Sequence, residues 1–128
     1  WRGRDRRMEK PKRSKFMGQY IKLVYQPAVR EKENPDQRLY GMFDEETDSI
    51  YIEDGMPHNR ERDTLIHEVL HQLFSMSGIE FKGEMEETVT AYLGGAILSH
   101  MRDNGKFWRY VMEPAPKEED DDKEGEHE

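Results

Sequence analysis

His67-Glu68-Val69-Leu70-His71 places two imidazoles and a carboxylate at a spacing that suits a catalytic zinc ion. On a helix the two histidines stand one turn apart on one face, where they can share a metal, and Glu68 stands beside them. In a zinc hydrolase a carboxylate at that position takes a proton from water activated by the metal and later returns it to the leaving group. A pair of half-buried surface histidines is the plainer alternative, but it gives no packing reason for a glutamate between them.

The chemistry needs a helix, and the neighbouring residues supply one. Asn59 can cap a run that begins Arg60-Glu61-Arg62-Asp63-Thr64, Ile66, Val69, Leu70 and Leu73 repeat at helical spacing, and Gly78 follows as a left-handed stop. A helix over residues 60 to 76 is therefore expected. Asp63, one turn before His67, can orient that ring, although a solvated helix carboxylate explains it equally well.

A catalytic zinc also needs a third protein ligand. From Gly83 a second helical pattern begins, with Val89, Leu93, Ala96 and Ile97 as its apolar positions and Asp103-Asn104-Gly105 as its stop. If the link through Gly78 and Gly83 makes an antiparallel hairpin, Glu87, ~5 Å into the second helix, returns almost level with His71, ~8 Å before the end of the first. Glu84 and Glu86 compete for the role. Glu87 is preferred because it shares a face with Ala91 and Gly94, whose small side chains let the helices approach, and Glu86 is the alternative. At least two of the three acids fit equally well as decoration of a helix N-terminus.

The segment before the first helix reads as a sheet. Residues 20–25 alternate polar and apolar ahead of Pro27, and residues 39–43 and 49–52 flank the loop Glu45-Glu46-Thr47-Asp48. Gly41 inside the second run marks a bulge or a close backbone approach. The expected class is α+β, a small antiparallel sheet of about three strands packed on the active-site helix and on a second, ligand-bearing helix.

HEVLH, a short spacer, then Glu86-Glu87-Thr88-Val89 leading to Tyr92-Leu93-Gly94-Gly95 and Arg102-Asp103-Asn104 resembles the small zincin-like metallopeptidases of phages and prophages. More distantly it is similar to the ImmA/IrrE group of bacterial gluzincins, over about residues 20 to 112. The resemblance implies a minimal zincin-like fold with His67, His71 and Glu87 on Zn2+ and Glu68 as general base. It also implies an edge strand above the metal that receives an extended peptide, for which Ile50-Tyr51-Ile52 or Leu39-Tyr40 are the candidates. The spacer of 15 residues between His71 and Glu87 is shorter than in the ImmA/IrrE group. A C-terminal regulatory or substrate-sensing domain is not expected either, since none is recognisable in these residues, so repressor cleavage does not carry over.

The oxyanion donor that many zinc peptidases add has no clear candidate. His100 is about 20 Å along the second helix from Glu87, His58 precedes the first helix, and Tyr92 points about 140° away from Glu87.

Composition bounds the rest. With 128 residues and 34% hydrophobic content the chain supports one small core, and the absence of cysteine leaves nitrogen and oxygen as the strong ligands for zinc. No apolar run approaches membrane-spanning length and no signal peptide is visible, so a cytoplasmic location is expected, the host cytoplasm if the chain is phage-encoded. Residues 1–17 read as a disordered basic arm, with eight basic residues against Asp5 and Glu9 in the first fifteen. Residues 18–112 read as the folded domain. Residues 113–128 read as an acidic tail, with nine acids against Lys117 and Lys123. The arm has the charge for nucleic acid, but the whole chain stands at −8 and only Trp1 and Phe16 supply aromatics there, so solvated ends are the plainer reading. Two functions remain. One is a zinc peptidase acting on a protein or peptide; the other is a non-catalytic, metal-holding structural or regulatory protein of phage type.

Overall fold

The computed structural model describes residues 8–114, and the chain divides into two compact units, Trp1–Leu98 and Ser99–Glu128. The first unit is α+β. It carries strands β1 (Arg13–Phe16), β2 (Gln19–Gln26), β3 (Val29–Arg30), β4 (Arg38–Leu39), β5 (Gly41–Asp44) and β6 (Ser49–Glu53). Helix α1 (His58–Ser77) follows, then α2 (Met85–Asp103), which runs on into the second unit. No helix among the described residues is long and apolar enough to cross a membrane.

The sheet differs from the expected antiparallel set of about three strands. It has four, in the order β1-β2-β6-β5, and β2 and β6 run parallel, while β3 and β4 form a separate two-stranded ribbon. Two signals were hidden. Strand β1 lies within the run of basic residues expected to be a disordered arm. Met17 and Gly18, both at positive φ, 51° and 81°, make the tight turn that folds it onto β2. Its charges are spent on the exposed face, where the Arg13 guanidinium and Lys15 ammonium both lie over the Tyr20 ring. Parallel pairing, for its part, leaves no mark on alternation. It arises because the ribbon between β2 and β5 carries the chain back across before β6 inserts between them. The folded chain thus begins before residue 18. Residues 1–7 of the expected arm and 115–128 of the expected tail lie outside the described residues.

Ile21, Leu23, Ile50 and Ile52 form the core, with Tyr25, Phe43, Met56, Leu65, Val69 and Met76 packed against it. The apolar stripe expected on α1 splits in two. Val69 turns to the sheet with Leu65 and Met76, whereas Ile66 and Leu70 meet α2 at Gly94, where a Cβ would stand 3.3 Å and 3.5 Å from their side chains. The helix starts one residue before the expected cap, with Pro57 as N-cap and no side-chain hydrogen bond there, because extended Pro57 (φ −54°, ψ 145°) leads straight into the first turn. Gly78, at φ 75°, closes it as expected.

Gly41 is the close approach. Its φ is ordinary, yet a Cβ there would lie 2.6 Å from Thr64 Cγ2, 3.1 Å from Glu68 Cγ and 3.2 Å from the Tyr51 carbonyl oxygen.

In the second unit, α2 ends at Asp103 and α3 (Gly105–Met112), an element the sequence reading did not anticipate, follows. The Asn104 amide donates to the His100 carbonyl at 2.9 Å, and Trp108 Nε1–H donates to His100 Nδ1 at 2.9 Å.

Two glycine substitutions separate crowding from propensity. Gly41→Ala is expected to destabilise the protein by about 1–3 kcal/mol through overpacking. Gly95→Ala, at a helical site with open space around it, should stabilise by about 0.5–1 kcal/mol. Urea unfolding midpoints check both, and equal effects would refute the crowding at Gly41.

Candidate metal centre

Helix α1 presents His67 and His71 one turn apart, ring centroids 5.0 Å from each other. The first turn of α2 brings Glu87 between them. Its Oε1 lies 2.8 Å from His67 Nε2 and its Oε2 lies 3.0 Å from His71 Nε2. Donor atoms of His67, His71 and Glu87 all fall within 4.8 Å of one another, a group that can hold a metal ion. Two neutral nitrogens and one carboxylate oxygen, with no thiolate, form a donor set that fits a catalytic zinc site. The rings are mostly sheltered, while the Glu87 side chain is 63% exposed, so the group opens toward solvent on the α2 side.

Glu86, weighed against Glu87 as a ligand, has a different position. Its Oε2 lies 2.5 Å from His71 Nδ1, on the far side of the ring from Glu87. With the hydrogen on Nδ1, donated to Glu86, Nε2 is the nitrogen left to face His67 and Glu87 as a metal ligand. Such a bond fixes the orientation of a ligating imidazole and raises its basicity. Consecutive glutamates thus grip one histidine from two sides, as a helix allows when its neighbour ring points between two successive side chains. Gly94, two turns beyond Glu87 on the same face, lets α1 come close enough for both reaches.

Glu68 faces the other way, toward the sheet. It is only 7% exposed, and its carboxylate accepts a hydrogen bond from the Phe43 backbone N–H of β5. Burial raises its pKa to about 7, with Glu87 adding to the rise and His71 and the Phe43 bond opposing it. A carboxyl near neutrality can both take and return a proton under ordinary conditions.

The Phe43 bond reveals the direction of the β5 edge. Glu53 N–H donates to the Tyr40 carbonyl at 2.8 Å, so by alternation Gly41 and Phe43 turn their backbone groups away from β6. No strand among the described residues pairs on that side. The edge borders a cleft of about 890 Å³ lined by Gly41, Phe43, His67, Glu68, His71 and Glu87 among others. Of the two segments expected to receive a peptide, Ile50-Tyr51-Ile52 is ruled out because β6 is hydrogen-bonded on both sides within the sheet. Leu39-Tyr40 and the edge of β5 border the group instead.

The remaining expected residues disperse. Glu84 lines the cleft without joining the metal-holding group. His58 lines a separate cavity with Lys10 and Glu61, and His100 is engaged by Trp108. Tyr92 is 79% exposed. Asp63 borders the cavity beside His67. Sequence reasoning missed Arg60 and the Phe43 amide. Arg60 carries a signal that could have been used, since it stands seven residues before His67 and so on the same helical face. The Phe43 amide carries none, because any residue has one.

No family model, curated protein or solved structure matches this chain.

Glu68 makes the metal-free protein sensitive to pH. A carboxyl whose folded pKa lies above its unfolded value contributes fully below the unfolded value, near 4.5, and that contribution is lost as pH rises through about 7. Glu68→Gln keeps an acceptor for Phe43 without the charge. Its stability relative to wild type should therefore improve by about 2 kcal/mol between pH 5 and pH 8. Chemical denaturation of both proteins at the two pH values reads this, and a difference that does not change with pH would contradict the burial of a charge at Glu68.

Proposed function

We propose that the chain is a zinc-dependent peptidase of zincin-like type that hydrolyses peptide bonds in a protein or peptide substrate. The observation that supports it most is the position of Glu68, a buried carboxyl held near neutrality between a His-His-Glu group and an open strand edge. A site that served only to pin two helices would gain nothing from an acid buried beside it, and would be more stable without one.

Each residue then has a task. His67, His71 and Glu87 would hold the zinc, with Glu86 orienting His71. When bound, zinc supplies a Lewis acid that polarises the scissile carbonyl and acidifies water. The free N–H and C=O of Gly41 and the C=O of Phe43 pair with an extended peptide and align its backbone along β5. Glu68 takes one proton from the attacking water as the new C–O bond forms. It returns that proton to the amide nitrogen as the C–N bond breaks, giving a carboxylic acid and an amine, and the acid's remaining proton passes to the amine so that the products leave as carboxylate and ammonium. The Phe43 amide holds the Glu68 carboxyl in place while the proton comes and goes.

Metal content of the purified protein is expected to reach one zinc per chain after zinc loading. Glu87→Ala should weaken zinc binding by about 100-fold or more, as loss of a ligand, and Glu86→Ala by about 10-fold, as loss of an orienting partner. Competition with a chromogenic chelator measures both, and the opposite order would exchange the two roles.

Glu68→Gln should retain zinc and lose about 10³-fold or more in turnover, read by mass spectrometry of a peptide library digested with each protein. A zinc-loaded wild type that cleaves nothing in such a library would favour the non-catalytic metal-holding alternative, and a wild type that takes up no zinc would defeat both readings.

A further inference from the structure

The cleft continues past the metal-holding group into a second compartment of about 360 Å³. His67, Glu68 and Glu87 border both parts, and Tyr40, Arg60, Asp63 and Thr64 close the smaller one. The two ends differ in charge. The larger part adds Glu31, Glu45 and Glu84 and has no Lys or Arg in its lining, whereas Arg60 is the one Lys or Arg that lines either part.

Arg60 is held in a way that keeps its donors available. Its guanidinium lies 4.9 Å from the centre of the Tyr40 ring, with Nη1 3.5 Å from the Tyr40 hydroxyl, and it forms no ion pair among the described residues. Stacking on an aromatic face restricts the plane of the guanidinium and leaves the edge of the fork free to bind a planar anion. An arginine near so many acids that pairs with none of them is positioned for an anion from outside the chain. Seven residues before His67 on the same helical face, it stands about 10 Å from that histidine along the axis, the span of two or three extended residues.

Resting on the peptidase reading above, we infer that Arg60, braced by Tyr40, is a specificity subsite that binds a carboxylate of the substrate two or three residues from the bond that is cut. The carboxylate is either the C-terminus of a peptide or the side chain of an aspartate or glutamate. The fork binds both by the same paired hydrogen bonds. The acids at the opposite end of the cleft repel such a group, so the carboxylate end of a peptide is directed to the Arg60 compartment.

Three zinc-binding probes test this on the zinc-loaded protein. They are the succinyl hydroxamate of Ala-Ala with a free C-terminus, its C-terminal amide, and the amide with Glu as the last residue. Isothermal titration calorimetry reads their dissociation constants. At least one carboxylate probe should bind about tenfold more tightly than the uncharged amide. Arg60→Gln should remove the preference and Arg60→Lys should keep part of it. A preference for the free C-terminus marks a peptidase that works from chain ends, and one for the glutamate probe marks a peptidase that reads an internal acid; either supports the subsite. Discrimination below threefold in the wild type, or a preference that survives Arg60→Gln, overturns it while leaving the peptidase reading intact. Failure of zinc to load, or of all three hydroxamates to bind, overturns the peptidase reading and the subsite with it.

Discussion

The distance between α1 and the β5 strand governs the site. At Gly41 there is no room for a methyl group, since Thr64 and Glu68 already occupy the space a Cβ would need. That contact lets the helix sit deep enough for Glu68 to reach the Phe43 amide, which faces outward on the strand edge. The same depth excludes water from the carboxyl and raises its pKa. One absent side chain thus sets the position of the acid, its environment and its proton affinity together.

A second close approach, at Gly94, brings α2 to the other side of α1. Helix α1 is therefore held on two faces, with the sheet against Leu65, Val69 and Met76 and α2 against Ile66 and Leu70. The histidines lie along the seam between these faces, where they meet Glu86 and Glu87. In proteins of this size few apolar residues are buried; here they are Ile21, Leu23, Val29, Ile50, Ile52 and Leu70 among the described residues. Such a core tolerates a buried acid because Glu68 retains a backbone hydrogen bond and can hold its proton near neutral pH.

The grouping of His67, His71 and Glu87 was legible because its pattern is local. His67 and His71 need only one helix, and Glu87 needs only the assumption that a short link returns the next helix alongside. The small residues at Ala91 and Gly94 favoured Glu87 over Glu86, and Glu87 is the acid that groups with both histidines; the place of Glu86 had no sequence signal, since it depends on which nitrogen of the His71 ring each glutamate meets. The sheet was less legible for two reasons. Arg13–Phe16 looks like a charged tail until Tyr20 is seen beneath its cations, and the parallel pairing of β2 with β6 depends on a crossover that alternation does not encode. The buried side of α1 misled in a similar way. It includes Glu61, Thr64, Glu68 and Gln72, all polar, so a search for an apolar stripe finds only the flanks of the face that is buried.

Those polar residues indicate what the buried face does besides packing. Glu61 pairs with Lys10 at 3.0 Å and the Gln72 amide reaches the Ser14 carbonyl, so the helix is tied to the chain on the β1 side. Thr64 and Glu68 meet β5 on the other side. A helix attached to both edges of a four-stranded sheet cannot slide along its axis without breaking polar contacts at one edge or the other. Apolar packing alone would permit such sliding, because one methyl contact is replaced by the next at little cost. Hydrogen bonds are directional, so they fix the helix in register. Under the peptidase reading proposed above, that fixation is what Glu68 requires, because a displacement of about 1 Å would cost a proton-transferring acid orders of magnitude in rate. The polar face of α1 therefore holds His67, His71 and Glu68 at one fixed level against the sheet.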